Sequence, residues 1–193
     1  MLDVGCDTGR FGEALQLNKD CVVDGIEPHL PSAEIAQTRL RNVFTTPIEN
    51  CRSFTNYNNY DALLSLDVLE HLQNPWSVLE ELSQFLNPGG KIFVVVPNIA
   101  HVAIVRRLIR GQFEYSDRGT MNRTHLRWFT RNSLQKALSE AGYEKIEIKV
   151  SPHIPYLSGN YLLLRKLKIC LTHTFPDQLG GSIICIGTKI SKH

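Results

Sequence analysis

The 193 residues predict a doubly wound α/β domain on a mostly parallel sheet. Three observations carry this. Short apolar runs bounded by turn residues recur along the chain, as in "YDALLSL" (residues 60–66) and "KIFVVVP" (residues 91–97). Segments with a 3.6-residue apolar period lie between them, and the two kinds alternate. Continuous apolar strands suit a parallel sheet, whose crossover helices cover both faces.

The elements follow in chain order. "MLDV" opens the chain as a strand and runs into glycines at Gly5, Gly9 and Gly12, a turn that leads into a helix. "CVVDGIE" (residues 21–27) is the second strand, and the weaker "NVFTT" (residues 42–46) the third. After the fourth strand, Asn74 caps a helix with Pro75 at its first position. Val78, Leu79, Leu82, Phe85 and Leu86 form its apolar face, and Pro88, Gly89 and Gly90 stop it. "KIFVVVP" is the fifth strand. A second helix starts at Thr130 and ends by Gly142, with Leu134, Ala137, Leu138 and Ala141 on one face. The last strands are "EKIEIKV" (residues 144–150) and "SIICIGTKI" (residues 182–190).

Two stretches interrupt the alternation. Residues 97–130, rich in His, Arg, Asn and aromatics, form an insertion expected to cover a substrate. Residues 151–181 form an irregular or helical insertion before the last strand. With no linker or internal repeat, residues 1–193 read as one domain.

A formal charge of +2 gives no reason to expect nucleic acid as a partner. No apolar run reaches the roughly 18–20 residues of a bilayer span, so no stable membrane insertion is expected. Cys6, Cys21, Cys51, Cys170 and Cys185 form no CxxC pair and no metal-ligand spacing. An odd count without a signal peptide fits the reduced thiols of a cytoplasmic protein. "LLLRKLKIC" (residues 162–170) is either a packed helix with solvated lysines or a surface helix that touches membrane or a partner.

A strand, a glycine-rich turn and a helix together aim backbone N–H groups and a helix N-terminus at a ligand. The spacing is G-x-x-x-G-x-x-G rather than G-x-G-x-x-G, which disfavours a nicotinamide dinucleotide. Glu27 ends the second strand, 18 positions after Gly9. A carboxylate at a strand tip can accept from both hydroxyls of a ribose.

"LDVGCDTG", "GIEP", the run from "YDALLSLDVLEHL" to "KIFVVVPN" and "THLRWFTRNSLQKALSEAGY" together resemble class I S-adenosylmethionine-dependent methyltransferases. The likeness covers about residues 1–150. It implies a Rossmann-like sheet of seven strands, the last antiparallel, and S-adenosylmethionine as cofactor. By the same resemblance Asp3, Gly5 and Gly9 surround the methionine part and Glu27 takes the ribose. Asp67, Val68 and Leu69 lie over the methyl end, and Thr46, Pro47 and Ile48 are candidates for the adenine. On this reading Gly9→Val excludes the cofactor sterically and leaves the domain folded. Asp7 departs from the family, which has glycine there; its carboxylate either repels the cofactor's carboxylate or accepts from its ammonium. The chain starts inside the first strand, so it reads as a fragment of a longer chain or as one that has lost its lid.

The resemblance implies methyl transfer to a small polar metabolite, O-methylation first, with sugar-, glycan- or quinone-related acceptors. The alternative is a catalytically inactive remnant acting as a binding or interaction module. A hydroxyl acceptor needs a base, and the candidates are His125 first, then His71 and His101. Each has a competing role: His71 bonding backbone at a turn, His101 starting a helix, His125 anchoring the insertion to a carbonyl. Arg123 and Arg127 either favour an anionic substrate and lower the His125 pKa or take a solvated or ion-paired surface role. Asp67 and Glu70 lie three apart without a further acidic cluster, so no metal is expected.

Overall fold

The computed structural model describes residues 1–50, 60–152, 169 and 171–190. Seven strands form one sheet: β1 (Leu2–Val4), β2 (Asp24–Ile26), β3 (Val43–Phe44), β4 (Tyr60–Leu66), β5 (Leu86–Pro97), β6 (Tyr143–Pro152) and β7 (Gly180–Lys189). Their spatial order is β3-β2-β1-β4-β5-β7-β6. The pairs from β3 to β5 are parallel, and β7 runs antiparallel to both β5 and β6. The sheet is Rossmann-like, seven-stranded and mostly parallel, as the sequence predicts.

Helices whose bounds lie within the described residues include α1 (Arg10–Asn18), α2 (Leu30–Ala36), α3 (Pro75–Phe85), α4 (Val102–Ile109), α5 (Arg131–Glu140) and the single turn α6 (Pro176–Leu179), with a 3₁₀ turn at Leu69–His71. The Asn74 side chain accepts from the Ser77 N–H, and Thr130 forms a reciprocal capping box with Ser133. The α3 helix stops at Phe85, before the Pro-Gly-Gly run. Leu86 is already extended, 2% exposed, and paired with Tyr60 of β4.

Two apolar clusters form. The larger joins α3 and α5 to β1, β4, β5 and β7, with Leu79, Leu82, Leu134 and Leu138 fully buried in it. Burying such a side chain contributes roughly 1.5–3 kcal/mol. The smaller gathers Cys6, Val23, Ala36 and Leu40. On β2, Ile26 belongs to the larger cluster, whereas a Cβ on Gly25 would strike Cys6 and Leu40. Successive strand residues point to opposite faces, so the two clusters flank the sheet.

At the end of β2 away from the ribose candidate, Asp24 is completely buried. It accepts from Tyr60 Oη at 2.8 Å, Arg41 Nε at 2.8 Å and Asn42 Nδ2 at 2.9 Å. Those bonds hold its carboxyl below the usual range against the opposing effect of burial. Residues 153–168 and 170 lie outside the described residues. They include all of the basic segment except Ile169, along with most of the second insertion; Cys51 lies outside as well.

Candidate active site

In a sheet of this order the chain turns back between β1 and β4, and a crevice opens beyond the C-terminal strand ends there. A cleft of about 390 Å³ occupies this place. Gly5 follows β1, Glu27 and Pro28 follow β2, and Asp67 and Val68 follow β4; Pro47 and Ile48 close one side.

Glu27 is 8% exposed. Its Oε2 accepts from the Asp7 N–H at 2.9 Å and its Oε1 from the His29 N–H at 2.8 Å. These bonds fix the carboxylate, and each oxygen keeps a lone pair for a ligand hydroxyl. Gly5 has φ +71, and a Cβ there would lie 2.6 Å from Val68 Cγ2. The loop and the segment after β4 therefore approach as closely as they do only with glycine at this position. A fixed acid on one wall and a bare backbone on another suit the ribose and methionine parts of S-adenosylmethionine.

Other candidates are placed differently. A Cβ on Gly9 would point not at the cleft but at Ala36 Cα, 3.1 Å away, and Leu40 Cγ, 3.2 Å away. Gly9 is thus the N-cap of α1, packed against α2. Leu69 is fully buried in the larger core, because the 3₁₀ turn rotates it inward. Asp3 is 2% exposed, and burial pushes its carboxyl up to about 7. Asp7 adopts a left-handed conformation with φ 46, the backbone reason for a glycine there.

A second cleft of about 290 Å³ adjoins the first, and Asp67 and His71 line both. Its other walls include Glu70, Pro97, Thr120, Asn122, His125 and Ser182. The 3₁₀ turn and the segment around His125 are tied together here. The Glu70 carbonyl accepts from the Leu126 N–H at 2.7 Å and the Arg127 N–H at 3.0 Å. His71 Nδ1 lies 3.1 Å from the Thr124 carbonyl, and His125 Nδ1 lies 3.0 Å from that of Thr120. A carbonyl only accepts, so both Nδ1 atoms carry the proton and both Nε2 atoms keep a lone pair. The rings meet edge to face at 4.8 Å. The backbone roles considered for His71 and His125 thus leave each Nε2 unprotonated.

His125 has its pKa lowered, as expected, but by a different cause. Burial dominates, the Thr120 carbonyl opposes it, and His71 adds to it. Arg123 is instead paired with Asp117 at 3.3 Å, and Arg127 Nη1 donates to the Leu126 carbonyl. His101 caps α4, its Nδ1 accepting from the Ala103 N–H, and lines neither cleft.

Sequence reasoning weighs Glu70 only as a partner of Asp67 and gives it no role. Glu70 is 1% exposed, and neither carboxylate oxygen has a hydrogen-bond partner among the described residues. Burial pushes its carboxyl up to about 7; its own backbone N–H opposes this and Asp67 reinforces it. Donor atoms of Glu70, His71 and His125 all lie within 4.8 Å of one another. The available signal was an acid and a histidine adjacent in "DVLEHL", but the third member is 54 positions downstream of His71.

Comparison with known proteins agrees with this geometry. A family model described as a methyltransferase domain matches residues 1–148. The ubiquinone biosynthesis O-methyltransferase of Dictyostelium discoideum is 27% identical over 127 residues, 58% of this chain and 40% of its own length. That of Pseudomonas aeruginosa is 28% identical over 158 residues, 77% of this chain and 66% of its own. The chain thus spans less than two thirds of either relative. A solved S-adenosylmethionine-dependent methyltransferase from Archaeoglobus fulgidus superposes with a TM-score of 0.70 at 16% identity, covering 97% of this chain and 85% of that one. Sheet order, switch-point cleft and the match over residues 1–148 converge: the chain belongs to the methyltransferase-domain family of class I, S-adenosylmethionine-dependent enzymes.

Proposed function

We propose that the chain transfers a methyl group from S-adenosylmethionine to a hydroxyl of a small polar acceptor. The observation that carries this is the shared wall of the two clefts, Asp67 and His71, which lets a donor in one face an acceptor in the other. When bound, S-adenosylmethionine supplies an electrophilic methyl group on a sulfonium. Glu27 accepts from the ribose hydroxyls, the Gly5 backbone borders the methionine part, and Pro47 and Ile48 flank the adenine. Displacement at a methyl group needs alignment above all. The ties from Glu70 and His71 to residues 124–127 supply it by holding both walls of the acceptor cleft together.

O-methylation is favoured because the acceptor cleft presents basic lone pairs where a hydroxyl loses its proton. His71 and His125 line this space with their Nδ1 protons held by backbone carbonyls, and burial shifts His125 towards its neutral form. Gly119, Thr120 and Asn122 of the first insertion line the same cleft, which supports a covering role for residues 97–130. The names of the two ubiquinone-related relatives favour a ring hydroxyl over a sugar.

Calorimetry with S-adenosylhomocysteine and with NAD tests the donor assignment. The first is expected to bind in the micromolar range or tighter and the second not at all; the reverse overturns the reading. Glu27→Ala removes one or two charge-assisted hydrogen bonds, each about 1.5–3 kcal/mol, and should weaken binding at least tenfold. Unchanged affinity removes Glu27 from the ribose. Binding without methyl transfer to any hydroxylated acceptor would favour the interaction-module alternative.

A further inference from the structure

We propose that Glu70, His71 and His125 form a binding site for a divalent transition-metal ion at the junction of the two clefts. Four observations meet there. The three donor atoms lie within 4.8 Å of one another, close enough for one ion to draw together. Glu70 is 1% exposed with both oxygens lacking a partner among the described residues, and a buried carboxylate is stable when it is protonated or meets a cation. Both imidazoles give their Nδ1 protons to backbone carbonyls, the outer bond that orients metal-ligating histidines and raises the basicity of Nε2. The Glu70 carbonyl also holds the Leu126 and Arg127 N–H groups, so the segments carrying the ligands are clamped before any ion arrives.

Two imidazoles and one carboxylate suit Zn²⁺, Mn²⁺ or Fe²⁺ better than Mg²⁺ or Ca²⁺, which prefer oxygen donors. Three protein ligands leave coordination positions open, and the 290 Å³ cleft lies on that side. The acceptor class follows: a molecule with two adjacent oxygens, a catechol or vicinal diol, that chelates the ion. With the ion bound, the two histidines are ligands and no longer bases; the cation instead makes one hydroxyl more acidic, and its proton passes to solvent. This last step rests on the methyl-transfer reading; the metal site itself does not.

The test uses the full chain stripped with EDTA and desalted. Co²⁺ is added as a visible-absorption probe and then displaced by Zn²⁺, with S-adenosylhomocysteine calorimetry in parallel. One Co²⁺ per chain is expected, bound at least a hundredfold more weakly by Glu70→Gln and His125→Ala. His173→Ala, away from the cluster, should bind like the parent. Glu70→Gln is nearly isosteric, which guards against loss of the fold, and retained S-adenosylhomocysteine binding verifies it. Parent and Glu70→Gln binding Co²⁺ equally would overturn the site. Methyl transfer that survives EDTA in a chain without metal affinity would overturn it and leave the proposed activity standing. Metal binding without S-adenosylhomocysteine binding would do the opposite. With metal present, a catechol should be methylated at least tenfold faster than the matching monophenol. Equal rates would overturn the chelation step.

Discussion

Single backbone positions decide how the loop after β1 works. Gly5 and Gly9 both have left-handed φ, but they serve different neighbours. Gly5 lets Val68 approach the cleft, while Gly9 lets α1 pack on α2. Gly9→Val should therefore destabilise the whole domain, contrary to the sequence expectation of a folded, binding-deficient variant. The left-handed backbone costs about 1–2 kcal/mol and overpacking adds about 1–3 kcal/mol. A thermal melt of Gly9→Val beside that of the parent measures it, and an unchanged Tm would contradict the packing role. Asp7, at φ 46, carries a milder form of the same cost. Asp7→Gly should raise stability by up to about 1 kcal/mol, read as a shift in urea midpoint. If stability falls instead, the Asp7 side chain makes a compensating interaction.

The elements that bound the second cleft depend on their ends. The α5 helix begins at Thr130, directly after the strap that carries His125, and its capping box sets where the strap returns to the sheet. Losing such a cap typically costs about 1 kcal/mol. Thr130→Ala should lower the denaturant midpoint by that amount at constant m-value. Methyl transfer should fall more than S-adenosylhomocysteine affinity does, because the strap lines only the second cleft. Equal losses in both would indicate global rather than local loosening. Both capped helices were legible from their first residues, since an N-cap and its partner lie within one turn. The end of α3 was not: strand pairing of Leu86 with Tyr60, 26 positions earlier, overrode the Pro-Gly-Gly signal.

At the scale of the whole molecule, two buried aspartates give stability opposite pH dependences. Asp3 has its folded pKa raised to about 7 by burial, so the folded state holds a proton that the unfolded chain gives up near 3.8. Its contribution is full below the unfolded value and is lost as pH rises towards 7. The upper limit is about 4 kcal/mol, from about 1.4 kcal/mol per unit. Asp24 has its pKa lowered by Arg41, Tyr60 and Asn42, so its contribution is present above 3.8 and is lost as pH falls through the folded value. Urea midpoints between pH 3 and pH 8 should show Asp3→Asn flattening the decline above about pH 4. Asp24→Asn should flatten the acid limb instead. An Asp3→Asn profile parallel to that of the parent would show that Asp3 does not carry the proton.

Local stretches of sequence already encode the alternation of strands and helices, the glycine loop, the acid at the tip of β2 and both helix caps. All of these are encoded within a turn or a strand of neighbouring residues, where periodicity and backbone preference act. Glu27 was legible because its carboxylate must end a strand at a set distance from the loop. Long-range contacts set which glycine serves packing, that Leu69 turns inward, and why the His125 pKa is lowered. They also bring Glu70 and His71 to His125. That meeting depends on the β5 hydrogen-bond ladder and on backbone bonds from residues 126 and 127 to the Glu70 carbonyl. Burial and long-range pairing set those positions and pKa values, and neither is a property of any local stretch of sequence.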